Sequence, residues 1–131
     1  MIFPLSDGRT FEIPDAWWAE AGMAAFQRKA ETYLVGPHTA STDQPVSLVA
    51  LADIVPFQRA PGVEKDFGGF DRDRMVNILR GFVAGAKIPP VFVRRGGRDP
   101  YHYSLYDGFH RFHAAVAAGY NMLPVVCDSW Q

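Results

Sequence analysis

The 131-residue chain contains a single cysteine, Cys127, which excludes an internal disulfide framework and suits a reducing compartment. A cytoplasmic location is therefore expected. No apolar run approaches the ~20 residues needed to cross a bilayer, so no membrane partner is expected. The opening MIFPLSDGRTF has no basic stretch followed by an apolar core, and no signal peptide is read there. Basic excess is also lacking. Thirteen Lys and Arg against fourteen Asp and Glu give a formal net charge of -1, too little to hold duplex DNA chiefly by phosphate attraction. No specific DNA binding is expected of this chain alone, although a local basic patch stays open. Nor is there an internal repeat or low-complexity tract. What remains is a hydrophobic content of 48% with 21% charged residues, the balance of a soluble globular protein. The length fits one domain, residues 1–131, large enough to bury a real core.

Two textures divide that domain. Residues 1–45 open with IFPL and TFEI about Asp7-Gly8, the pattern of a β-hairpin. Pro14-Asp15 then offers a helix start, with Asp15 as N-cap of AWWAEAGMAAFQRKA and Gly22 breaking or kinking it. TYLVG reads as a strand and PHTASTDQP as a loop. From residue 46 short β-like runs alternate with helices. VSLVALADIVP predicts a strand running into a turn at Pro56. FDRDRMVNILRGFVAG predicts a helix with Met75, Ile78, Leu79 and Phe82 on one face, Asp71 or Asp73 near its start and Gly85 near its end. IPPVFV and YHYSLY read as strands, the next helix carries Phe112, Ala115, Val116 and Gly119 on one face, and LPVVC closes as a strand. The order β, α, β, turn, β, α, β predicts a compact mixed α/β domain with an added N-terminal hairpin-helix unit.

The stretch YDGFHRFHAAVAAG carries the chemistry. A helix starting after Asp107-Gly108 presents backbone N–H groups without intrahelical partners, and its dipole adds roughly half a positive charge there. His110 and Arg111 fall in that first turn, where a cation is unfavourable with respect to the dipole and natural helices favour Asp or Glu. Two side chains of this kind point to a bound anion. An ordinary helix start with a solvated arginine is the competing reading.

IPPVFV followed by YSLYDGFHRFHAAVAAGYNMLPVV resembles the ParB/sulfiredoxin superfamily, and VALADIVPFQR resembles that family's opening strand and proline turn. The resemblance covers roughly residues 46–128 and rests on Gly108, Arg111, Ala114, Gly119 and Leu123-Pro124-Val125. It implies a ParB/sulfiredoxin-like fold and a nucleotide or other phosphate compound bound at the Asp107–Arg111 turn. ATP or CTP with magnesium would be the ligand, and a nucleotide-dependent phosphotransferase or NTPase the resulting activity. Asp107 would orient a basic side chain or a metal–nucleotide complex, Gly108 would admit the ligand to the backbone, and His110 with Arg111 would hold phosphate oxygens. Arg74 in the preceding helix and Arg59 after the proline turn would add phosphate contacts.

The sequence departs from its better-known relatives at one position. Sulfiredoxins read Gly-Cys-His-Arg at this turn and the partition proteins Gly-Glu-Arg-Arg, whereas this chain has Phe109 in place of the thiol or the glutamate. Neither sulfiredoxin chemistry nor that CTP hydrolysis is expected, and by family geometry Phe109 would face the reactive end of the ligand. The helix-turn-helix module and dimerisation tail of partition proteins are not read here. Free serine kinases of the superfamily use an Asp-Gly-His-His-Arg-type turn, a closer match. Their carboxylate lies upstream, where Asp53, Glu64 and Asp66 are the candidates.

Other residues carry weaker readings. His110 and His113 stand i, i+3, whereas zinc-binding helices favour i, i+4, so no metal is assigned and His113 is expected to pack beside Val116. No cluster of carboxylates supports a nuclease. Arg72, Arg94 and Arg95 are read as surface charge at least as readily as phosphate ligands. Trp17 and Trp18 point about 100° apart on a helix, so one belongs in the core and the other at a contact surface. The alternative function follows from that: a non-catalytic interaction module that keeps the fold and recruits a second copy or a protein partner through its N-terminal unit.

Overall fold

The computed structural model describes residues 1–38, 45–56 and 66–128. It is a mixed α/β architecture with two sheets and three α-helices. Strands β1 (Ile2–Pro4) and β2 (Thr10–Glu12) form the hairpin expected about Asp7-Gly8. Helix α1 is shorter than its apolar pattern suggested, spanning Asp15–Glu20. Pro14 occupies its N-cap, and Asp15 is the first helical residue, paired with the Met1 amino group at 2.6 Å. Gly22 adopts φ +83, a left-handed turn that ends the helical path, and Met23–Ala25 follow as one 3₁₀ turn. The expected TYLVG strand reduces to one bridge between Val35 and Ile88. Ile88 also donates to the Leu34 carbonyl and accepts from the Gly36 N–H.

The second sheet has the order β3 (Val46–Ala50), β6 (Met122–Asp128), β4 (Val91–Arg95), β5 (Tyr103–Asp107). β3 and β5 run antiparallel to their neighbours, and β4 is parallel to β6. The β4–β5 hairpin leads directly into α3 (Phe109–Ala117), which returns the chain to the sheet centre as β6. Pro89 and Pro90 precede β4 rather than entering its ladder, as their missing N–H groups require. Helix α2 (Arg72–Ala84) begins on Asp71, whose carboxylate accepts the Arg74 N–H at 3.1 Å, and ends at a left-handed Gly85.

One face of the sheet, carrying Val49, Val91, Val93, Leu123 and Val125, is buried with Met75 and Leu79 of α2 and Phe112 and Ala115 of α3. The N-terminal unit belongs to the same core through Leu5, Phe11, Ile13 and Trp17. Trp17 is buried and Trp18 is half-buried against Phe3, at 5.2 Å between ring centroids. No helix among the described residues is long and apolar enough to cross a membrane.

Candidate functional site

The Asp107–Arg111 turn sits where β5 hands the chain to α3. Gly108 is buried there with φ +109, and a Cβ on it would lie 2.6 Å from Val91 Cγ1. The space that the absent side chain leaves is therefore occupied by strand β4. Glycine is required for strand–helix packing, which accounts for this residue without a ligand.

His110 is turned inward, 6% exposed, and its Nε2 accepts the backbone N–H of Asp71 at 2.8 Å. An acceptor at Nε2 fixes the neutral ring in the tautomer protonated on Nδ1. The imidazole thus ties the N-terminus of α3 to that of α2, a structural role where a phosphate ligand was expected. α2 is supplied further by Asp66, which accepts the Arg72 N–H at 2.7 Å, and by the Asp71 cap. The Arg74 N–H, foremost, holds the Asp71 carboxyl below the usual carboxylate range. Its neighbour α3 has no side-chain cap and no acidic residue in its first turn. The start of α2 carries a side-chain cap and that of α3 does not.

Arg111 stands over that uncapped turn. Its side chain is only 18% exposed, one guanidinium nitrogen donates to the Pro90 carbonyl at 2.6 Å, and the other lies 3.7 Å from the Asp107 carboxylate. The second separation exceeds hydrogen-bond length, so most of the five N–H donors of the fork stay available. Asp107 itself is exposed. Arg74 is exposed on the first turn of α2, close enough to Asp71 to draw its carboxyl down further. Arg72 is engaged by Glu20 and Asp73. Arg94 lies 4.6 Å over the Tyr106 ring. Asp53 pairs with His102 at 2.5 Å, and Asp66 accepts the Arg72 N–H at the start of α2. Arg59 and Glu64 lie outside the described residues.

Phe109 corrects another expectation. Its half-buried ring lies 5.2 Å from Phe70 and 4.5 Å from His113, inside an aromatic cluster instead of toward a ligand. His113 is 1% exposed with Nδ1 at 2.9 Å from the Phe109 carbonyl, which makes Nδ1 the donor. It packs against Phe11, Phe70, Phe109 and Phe112 rather than simply beside Val116. The two histidines therefore point to different partners. Among the described residues no group of three or more His, Cys, Asp or Glu could hold a metal ion. Cys127 is half-buried on β6, paired in register with Val93.

The contributions of Tyr33 and Pro90 were invisible in the sequence. Tyr33 donates its O–H to the Pro89 carbonyl at 2.8 Å, and burial pushes its phenol well above the ordinary range, while the nearby Arg111 guanidinium pulls it down. No local signal links residues 33, 90 and 111. No known family model matches the chain, and no curated protein matches it in sequence.

Proposed function

We propose that this chain is a ParB/sulfiredoxin-like domain that binds a nucleotide or another phosphate compound at the Asp107–Arg111 turn. The observation that carries the reading is Arg111: a side chain only 18% exposed, in the first turn of a helix without a side-chain cap, whose ion pair to Asp107 among the described residues is 3.7 Å long. Asp107 meets this cation only at 3.7 Å, and a phosphate oxygen would take the rest of the fork at a helix start whose dipole favours an anion. Arg74 would reach the same anion from α2. His110 acts as a positioning residue that holds the two helix starts together, and Gly108 as the packing hinge. ATP or CTP is the expected ligand, with magnesium arriving on the nucleotide and Asp107 as the carboxylate nearest to it in the turn. Whether phosphotransfer or hydrolysis follows is a separate question, since no residue of the turn is assigned as a catalytic group.

A thermal-shift series with ATP, CTP and pyrophosphate, with and without magnesium, tests the binding. At least one should raise the Tm, and Arg111→Ala should remove most of that shift. No shift with any of them contradicts the proposal.

A second reading, the interaction module, draws on the N-terminal unit, where Ile2 is 67% exposed on β1 and Trp18 is half-buried on α1. Large apolar side chains left in water at one unit are a feature of contact surfaces. Sedimentation showing an Ile2→Asp-sensitive dimer, together with no nucleotide shift, would favour it.

A further inference from the structure

A concavity lies at the other end of α2 from Arg74. After Gly22 turns the chain, the segment that follows and the C-terminal end of α2 line a half-open cavity of about 580 Å³, within the size range of small-molecule sites. That segment is anchored at two points. The backbone N–H groups of Asn121 and Met122 both donate to the Glu31 carbonyl at 3.1 Å, and the Ile88 N–H donates to the Leu34 carbonyl at 2.8 Å. Asn121 Nδ2 also reaches the Glu31 carboxylate at 2.9 Å. The cavity is therefore held open by main-chain bonds to the sheet.

Its lining has three distinct parts. Aromatic rings make the walls: Tyr33 stacks on Phe82 at 5.4 Å, and Tyr120 meets Phe82 edge-on at 5.2 Å and Phe26 at 6.2 Å. Leu34 and Val83, 59% and 44% exposed, stand at the same cavity, so two exposed large apolar side chains converge on it. The polar part is sparse. Thr32 carries a buried hydroxyl with no hydrogen-bond partner, a group that proteins rarely leave unsatisfied. Lys29 adds an ammonium with no ion partner among the described residues.

We infer that this cavity is a binding site for a small aromatic carboxylate, its ring among Phe26, Phe82 and Tyr120 and its acid group toward Lys29 and Thr32. Flat rings suit the edge-to-face and stacked surfaces of the walls. Charge complementarity sets the acid: the cavity offers a cation and an unused hydroxyl, and no acidic side chain lines it. The site is separate from the phosphate turn and does not depend on that assignment.

Titration of the full chain with 2-naphthoate, followed by calorimetry and by amide chemical shifts, tests the inference. The expected result is saturable binding, with shifts at Thr32, Leu34 and Val83. The neutral 2-naphthamide should bind more weakly. Lys29→Gln, an exposed position, should weaken 2-naphthoate about tenfold, the factor to which ~1.4 kcal/mol converts. Leu34→Glu should abolish binding while circular dichroism stays unchanged. Absence of saturable binding overturns the inference. So does equal affinity for acid and amide, an unaltered Kd in both variants, or concentration-dependent self-association that blocks the cavity with a second copy.

Discussion

His110 Nε2 accepts the Asp71 backbone N–H at 2.8 Å, joining the starts of two helices that lie 39 residues apart in sequence. Residue 110 is thereby a structural acceptor. His110→Ala leaves that N–H without its partner and opens a hole beside Phe70 and Phe109, a combined cost of roughly 2–4 kcal/mol. Urea denaturation should register this loss, and His110→Gln, whose side-chain carbonyl can accept, should recover part of it. Wild-type stability in His110→Ala would contradict the role.

The Asp71 cap sets an acid limit on α2. Its carboxyl is held below the usual range in the folded state by the Arg74 N–H. A depressed carboxyl contributes stability that is present above the unfolded value, about 3.9, and lost as pH falls through the folded value. Asp71→Asn keeps an oxygen to accept the N–H but cannot titrate. The variant should therefore show a flatter decline of Tm below about pH 4 than the wild type, whose unfolded carboxyl titrates there. Parallel acid curves would remove Asp71 from the account.

Gly108 meets two constraints at once. A Cβ would overlap Val91, and φ +109 is a backbone conformation that side-chain-bearing residues rarely adopt. Gly108→Ala should cost roughly 2–4 kcal/mol, combining backbone strain with overpacking. Adding Val91→Ala should relieve the overlap but not the strain, so the double variant should recover less than the full loss from the Gly108 change. Denaturant midpoints with unchanged m-values measure both.

Phe109 separates packing from binding. Its ring contacts Phe70 and His113, and Phe109→Ala should lower stability by about 2 kcal/mol, the scale of a large apolar side chain taken out of contact. Nucleotide affinity should hold within about twofold, a fraction of the tenfold that 1.4 kcal/mol represents. A large loss of affinity at unchanged stability would return the ring to the ligand.

Much of the fold was legible because its signals are local. The Asp7-Gly8 hairpin, the Met75, Ile78, Leu79 and Phe82 face, a helix start at Asp71 or Asp73, the Gly85 stop and the β-hairpin-α-β order of residues 91–128 all follow from spacing and turn chemistry. The failures are also physical. The apolar pattern past Gly22 continued the helix on paper, but the left-handed turn redirected it into the 3₁₀ turn at Met23–Ala25. TYLVG has strand propensity but finds just one bridging partner, Ile88. In the turn, Arg111 and Gly108 could be singled out from sequence. That His110 faces Asp71, that Gly108 faces Val91 and that Arg111 rests on Pro90 are long-range facts, and no spacing within the motif encodes them.

Calorimetric titration with magnesium ATP and magnesium CTP measures whether Arg111, at the start of α3, holds phosphate. The account predicts a saturable Kd for at least one nucleotide. Arg111→Ala should weaken it at least about tenfold, since a charge-assisted contact is worth roughly 1.5–3 kcal/mol. Arg111→Lys should rescue it incompletely, because an ammonium lacks the planar fork. Arg74→Ala should give a smaller loss, and all three variants should keep the wild-type circular dichroism. An identical Kd in wild type and Arg111→Ala, or no heat from either nucleotide or from pyrophosphate, would contradict the account.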